Sequence, residues 1–111
     1  MSFSVRLLQP AVDFLQELRP KIRAKAFRTV ALLADSGPLL GLPHAKAVVG
    51  QRGLRELRVQ VGSDACRLFY FHFRNEVYIV ASGYRKKAQK LDVLEIQRAV
   101  RLMHIFMEEN R

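Results

Sequence analysis

Carboxylates are scarce in this sequence. Ten Asp and Glu stand against 19 Lys and Arg, a net charge of +9 over 111 residues. An excess of that size favours a polyanionic partner: nucleic acid, an anionic membrane surface or an acidic protein. It carries no information about fold. Cysteine is limited to Cys66. A single thiol forms no intramolecular disulfide and builds no multi-thiolate metal site. Set in an apolar run, with no charged neighbour on its own strand face to activate it, Cys66 reads as a small buried thiol in a reducing compartment. No apolar run nears the roughly 20 residues that span a bilayer. No segment is strongly basic on one side and bulky-aromatic on the other, as a membrane-surface helix would be. The opening "MSFSVRLLQPAV" has no basic start followed by a long apolar stretch, so it is not read as a secretory signal. The expectation is a soluble, cytoplasmic protein without a membrane partner.

Motifs for metal and nucleotide cofactors are also missing. There is no H-E-x-x-H, EF-hand, Walker or GxGxxG pattern, so no metal and no cofactor are expected. Internal repeats, low-complexity tracts and linkers are absent too. The length suits one domain, residues 1–111, with one core, and half of the residues are hydrophobic.

What is present divides by period. Residues 3–8, "FSVRLL", are short and β-compatible. In "QPAVDFLQELRP", Pro10 suits a first helical turn and Val12, Leu15 and Leu18 form a stripe, with Phe14 beside them. Pro20 ends that helix and opens the next. In the second, Ile22, Ala26, Phe27, Val30 and Leu33 form an apolar stripe, and Lys21, Lys25 and Arg28 share a cationic face. Gly37 and Pro38 stop it. Residues 38–53 are punctuated by Gly and Pro and read as irregular.

Alternation then replaces the helical period. "LRELRVQV" at 54–61, "ACRLFYFHF" at 65–73 and "VYIVASG" at 77–83 read as three consecutive strands. The short turns "GSD" and "RNE" make them an antiparallel meander. Asp92 and Glu95 resemble a capping box. Beyond them Val93, Ile96, Val100, Met103 and Met107 recur at helical spacing, as core packing. The expected fold class is α+β: an N-terminal helical hairpin on a small, mainly antiparallel sheet, made of the three-strand meander plus an N-terminal strand, with a C-terminal helix. One helical layer on one sheet would bury a single core.

For chemistry, His44, His72 and His104 are scattered over a loop, a strand and a helix. None has a carboxylate spaced to orient it, and a structural or solvated role suits each. His72 is the runner-up as a general base. The remaining signal is cationic. Glu56 and Arg58 share one strand face, and Arg55 points to the other. Across the turn at 62–64, Arg58 and Arg67 pair approximately, and Glu56 can hold one of them. Arg85, Lys86, Lys87 and Lys90 approach from the exit of the neighbouring strand in "YRKKAQK". A solvated connection is the bland reading of that run. Convergence of cations from three adjacent elements favours a phosphate site, because like charges repel until a polyanion compensates them. Strict alternation puts Arg67 on the face of Phe69, Phe71 and Phe73. It points inward if helices cover that face, and outward if the rim is open or a bulge re-aims it.

The run "GLRELRVQ", then "CRLFYFHF", then "VYIVASGYRKKAQKLDVLEIQRA", resembles the HigB-like, phage-associated branch of the RelE/ParE toxin superfamily. The shared features are an E-L-R strand, an Arg-aromatic strand, an apolar strand leading into an aromatic-x-K-K turn, and a closing helix with "EI..A". The resemblance covers residues 53–100, and the N-terminal hairpin only by order of elements. Arg55 departs from it, since an aromatic commonly stands there, and Tyr84 replaces a more usual Phe. The resemblance implies a RelE-like fold and the toxin of a type II toxin–antitoxin system. It implies cleavage of mRNA, commonly on the translating ribosome, which inhibits translation, and an antitoxin protein from a neighbouring gene. The family's cations map onto Arg58, Arg67, Lys86 and Lys87, which are the expected catalytic residues, and Glu56 matches its acidic position. Arg58 and Arg67 would hold the phosphate and stabilise the phosphorane-like transition state, and Lys87, supported by Lys86, would transfer a proton or neutralise charge. Arg55, Tyr70, Tyr84, Arg85 and Lys90 are the expected RNA-binding residues, with Tyr70 or Tyr84 stacking on a base. Two alternatives stay open: a ParE-like poison of DNA gyrase, and a basic nucleic-acid-binding module without catalysis.

Overall fold

The computed structural model describes residues 2–111. Along the chain run β1 (Ser4–Leu7), α1 (Gln9–Glu17), α2 (Pro20–Ser36), a 3-10 turn (Gly37–Leu39), β2 (Ala45–Ala47), β3 (Leu54–Val61), β4 (Asp64–Arg74), β5 (Val77–Arg85) and α3 (Val93–Glu109). The strands form one sheet in the order β1-β5-β4-β3-β2. The β3-β4-β5 meander is antiparallel, and β1 joins β5 in parallel. Gly62 and Asn75 take positive φ in the two hairpin turns, where glycine and asparagine are tolerated.

Pro10 and Pro20 stand in the first turns of α1 and α2, where the missing N–H is not needed. Ala11, Leu15, Ile22, Ala26 and Leu33 face the sheet. The stripe expected on α2 is shifted at two places. Phe27 is exposed, and Thr29 is buried with its hydroxyl donating to the Lys25 carbonyl at 2.8 Å. On α3, Ala99 and Met103 are buried, while Val93 and Met107 are exposed.

Two sequence expectations are corrected. Residues 38–53 are not wholly irregular, because Ala45–Ala47 pairs antiparallel with β3 and forms the sheet's far edge. The helices also do not form one layer. α1 and α2 cover one face, over Leu57, Val59, Leu68, Tyr70 and Val80. α3 covers the other, over Leu54, Phe69, Phe71, Ile79 and Ala81. This explains the apolar character of both faces of β4, since a strand buried on two sides has no polar face. Among the described residues, no helix is long and apolar enough to cross a membrane.

Candidate active site

The hairpin register places Arg58 directly opposite Arg67, and Arg67 in turn opposite Tyr84. All three side chains lie on the face that α3 covers. Arg67 therefore does share a face with buried Phe69 and Phe71, as alternation requires. It escapes full burial because α3 packs toward the other end of β4, where Phe106 meets Phe71 and Phe73 at centroid distances of 5.8 and 4.9 Å. The Arg67 end is left as a groove of about 190 Å³. Its floor is Glu56, Arg58, Arg67 and Tyr84; β2 with Lys46 forms one wall, and Lys86 with the start of α3 forms the other.

Electrostatics hold this floor in place. The Glu56 Oε2 lies 3.8 Å from the Arg58 Nε and 3.6 Å from the Arg67 Nε. One carboxylate thus sits between two guanidiniums that would otherwise repel. The side chain of Arg67 is 11% exposed and that of Arg58 is 34% exposed. Arg67 is the buried anchor, tied also to the Cys66 carbonyl at 3.2 Å, and Arg58 is the accessible partner.

The cationic exit of β5 divides. The Lys86 N–H donates to the Ala65 carbonyl at 2.9 Å, which extends the ladder past the strand end. Its ammonium donates to Asp92 Oδ2 at 3.0 Å and to the Lys90 carbonyl. Asp92 was expected to cap α3, but its side chain makes no cap hydrogen bond there. Lys86 competes for it successfully because a full charge outweighs a helix-end dipole. The Lys86 hydrogen bond holds the Asp92 carboxyl below its usual range, assisted by the Tyr84 hydroxyl and by the charges of Lys86 and Lys90. Tyr84 is pushed upward by burial, then by the Asp92 and Glu56 carboxylates. Its ring stacks on Phe69 at 5.5 Å and is almost wholly buried, so it forms floor rather than a free platform for a base.

Lys87 points elsewhere. It lines a neighbouring groove of about 710 Å³ between α1 and α3, together with Arg85, Arg98, Glu17 and Glu95. Arg85 is exposed and lies 3.6 Å from Asp64. Lys90 is exposed on the loop. Arg55 and Tyr70 lie on the opposite face of the sheet from Arg58, and Tyr70 is buried, so it offers no ring to a base. His72 shares that opposite side, with its Nε2 at 2.6 Å from the Asn75 carbonyl, and stands apart from the arginine pair. The structure therefore brings together Arg58, Arg67, Lys86 and Tyr84. Arg55, Tyr70 and His72 stand on the other face, and Lys87 meets this set only through the neighbouring groove that Tyr84 also lines.

Two neighbours were not placed at this site by the sequence: Lys46 went unnoticed, and His44 was given a structural or solvated role. Lys46 pairs in register with Glu56 on the unrecognised strand β2. His44 lines a groove of about 460 Å³ with Arg58, Arg67 and Lys25, and its carbonyl accepts from the Arg58 N–H at 2.8 Å. Only recognition of the edge strand would have drawn attention to either. Among the described residues, no cluster of His, Cys, Asp and Glu suits a metal ion.

This sheet, with helices on both faces and a cationic groove at one end, has the fold of the RelE proteins. The chain is similar to a mutant of the Escherichia coli toxin RelE in the free state, with a TM-score of 0.64 at 16% identity over 91% of this chain and 97% of that one. It is similar to a chain of the archaeal RelE–RelB complex of Pyrococcus horikoshii, with a TM-score of 0.57 at 17% identity over 77% and 96%. It is also similar to a chain of the Mycobacterium tuberculosis toxin–antitoxin complex RelBE2, with a TM-score of 0.58 at 18% identity over 78% and 100%. No curated protein matches it. The chain belongs to the family described as phage derived protein Gp49-like, whose model matches residues 13–104.

Proposed function

We propose that this protein is the toxin of a type II toxin–antitoxin system, of the HigB-like kind, and that it cleaves mRNA without a metal ion, at the ribosome. The observation that carries this reading is the Arg58–Arg67 cross-strand pair, held on one carboxylate and open to a groove edged by Lys86. In the reaction the RNA 2′-oxygen bonds to the adjacent phosphorus and the bond from phosphorus to the 5′-oxygen breaks. The 2′-hydroxyl gives up a proton and the departing 5′-oxygen gains one. Arg58 and Arg67 supply paired donors to the equatorial oxygens as negative charge builds up. Lys86 adds charge from the groove wall. Lys87, Arg85 and Lys90 guide the flanking strand rather than the scissile phosphate. His44 joins Lys86 as a candidate for proton transfer, because it is the histidine that shares a groove with both arginines.

The partner is a cognate antitoxin that covers the cationic groove. RelE stands in toxin–antitoxin complexes among the structural neighbours, which supports the same pairing here. The test is controlled expression of the chain with and without Arg67→Ala, followed by primer extension on cellular mRNA. New 5′ ends within coding regions, lost in the variant, are expected. Growth arrest without new ends would replace this reading with a different target such as DNA gyrase, and neither effect would leave a basic binding domain.

A further inference from the structure

The α1–α2 side of the sheet carries a second cationic feature that the arginine pair does not explain. Arg55 projects there, half-buried, and among the described residues no carboxylate lies within ion-pair distance of it. Its Nε donates to the Tyr70 hydroxyl at 3.0 Å, and its Nη2 reaches the Leu40 carbonyl at 3.4 Å. Both partners are neutral, and Nη1 stays uncommitted. A guanidinium held by neutral partners and partly withdrawn from water retains an uncompensated charge.

That charge faces a groove of about 660 Å³, within the range of small-molecule sites. Pro38, Ala47, Gly50 and Gly53 give it apolar walls, Gln51, Arg52 and His72 also line it, and Arg55, Tyr70 and Tyr78 set their polar groups close together. The Tyr70 hydroxyl accepts from Arg55 and keeps its own proton to donate. The Tyr78 hydroxyl is not a buried orphan, and it takes no side-chain partner among the described residues. The ring of Tyr78 is fixed by edge contacts with Tyr70 at 6.0 Å and Phe3 at 5.9 Å. The donors are therefore rigid, convergent and set in an apolar wall.

We propose that this groove is a separate binding site for a small organic oxyanion, a carboxylate or phosphomonoester on an apolar body, held by its head on Arg55, Tyr70 and Tyr78. The groups present here donate and carry positive charge, which suits an acceptor-only anion. The walls suit the remainder of the ligand. The site is across the sheet from Arg58 and Arg67, so it stands whether or not that pair cuts RNA.

Side-chain NMR on the whole protein tests this, with benzoate, phenyl phosphate and neutral benzyl alcohol as probes. Saturable shifts at the Arg55 Nε–H and the Tyr70 and Tyr78 rings are expected for both anions, with benzyl alcohol at least about tenfold weaker. The tighter anion names the head group. Arg55→Gln weakens binding by about tenfold or more, and Arg55→Lys restores part of it. Tyr78→Phe weakens it as well, and this variant serves if Arg55→Gln fails to fold. Arg58→Gln leaves these shifts in place. The proposal is overturned if no saturable shift occurs at Arg55, Tyr70 and Tyr78. It is equally overturned if the shifts fall only at Arg58 and Arg67, if benzyl alcohol binds as tightly as the anions, or if the Arg55 and Tyr78 variants bind like the parent.

Discussion

Arg58 and Arg67 are direct cross-strand partners, and Glu56 lies within 4 Å of both. Two like charges side by side on neighbouring strands disfavour the pairing that brings them together. Glu56 offsets this, but one carboxylate leaves the cluster with an excess positive charge. Lys86 is balanced separately by Asp92. The folded protein thus keeps a cationic cluster whose repulsion is only partly cancelled.

Glu56→Gln should therefore destabilise the protein modestly, by about 0.5–1 kcal/mol, the range of partly solvated ion pairs. Urea unfolding measures it. Added sulfate should recover more stability in the variant than in the parent, because it can replace the lost negative charge. Equal recovery in both would mean that Glu56 does not neutralise the pair.

The acid limb of stability should carry a contribution from Asp92. Its folded carboxyl titrates below the ordinary value of 3.8, chiefly because of the Lys86 hydrogen bond. A depressed folded value contributes stability that is fully present above the unfolded value and is lost as pH falls through the folded one. Thermal unfolding followed from pH 5 to pH 2 should show a shallower decline for Asp92→Asn than for the parent. Parallel declines would show that the Lys86–Asp92 pair does not persist in solution.

The legibility of these features in the sequence follows physical lines. The β3-β4-β5 meander was plain, because alternation and short turns are local signals. The opposition of Arg58 and Arg67 followed from the hairpin turn, and α1 and α2 followed from Pro10 and Pro20. β2 was hidden because Ala45–Ala47 is short, lies between glycines and prolines, and is a strand only by virtue of its partner β3. The side of the sheet taken by α3 was also hidden. A helical stripe shows which face of the helix is buried, not which face of the sheet receives it. Alternation had already separated Arg55 from Arg58. Arg55 and Tyr70 were expected among the RNA-binding residues, and the structure places them, as alternation has it, on the face opposite Arg58. The choice of Asp92 between a helix cap and Lys86 is tertiary, and local pattern does not decide it.

Cys66 should resist modification in the native state. Burial pushes its thiol up from 9.0 to about 11, against small opposing effects of Arg67 and Arg85. At pH 8 that difference corresponds to roughly 100-fold less thiolate, and the thiolate is the reactive form. Labelling with a disulfide reagent should be at least about 100-fold slower in buffer than in denaturing urea. The raised folded value also means that stability is lost as pH rises beyond the unfolded value, since the unfolded thiol then ionises first. Fast native labelling would place Cys66 at an accessible surface instead.

At Gly83 of β5, Phe14 of α1 packs directly against the strand backbone. A Cβ built there would lie 2.5 Å from the Phe14 Cδ2 and 2.7 Å from the Leu68 Cδ2. Leu68 is fully buried and has no space to retreat into, and the half-buried Phe14 ring can give way only toward the α1–α3 groove it lines. The clash falls within the strand that leads directly to Tyr84 and Lys86. Gly83→Ala should cost about 1–3 kcal/mol through overpacking, read as a lower urea midpoint with an unchanged slope. Trimming the opposing ring in the double variant Gly83→Ala with Phe14→Leu should recover part of that loss, because the new methyl then occupies space the ring has left. Strict additivity of the two changes would show that α1 sits farther from β5 than the close approach at Gly83 requires.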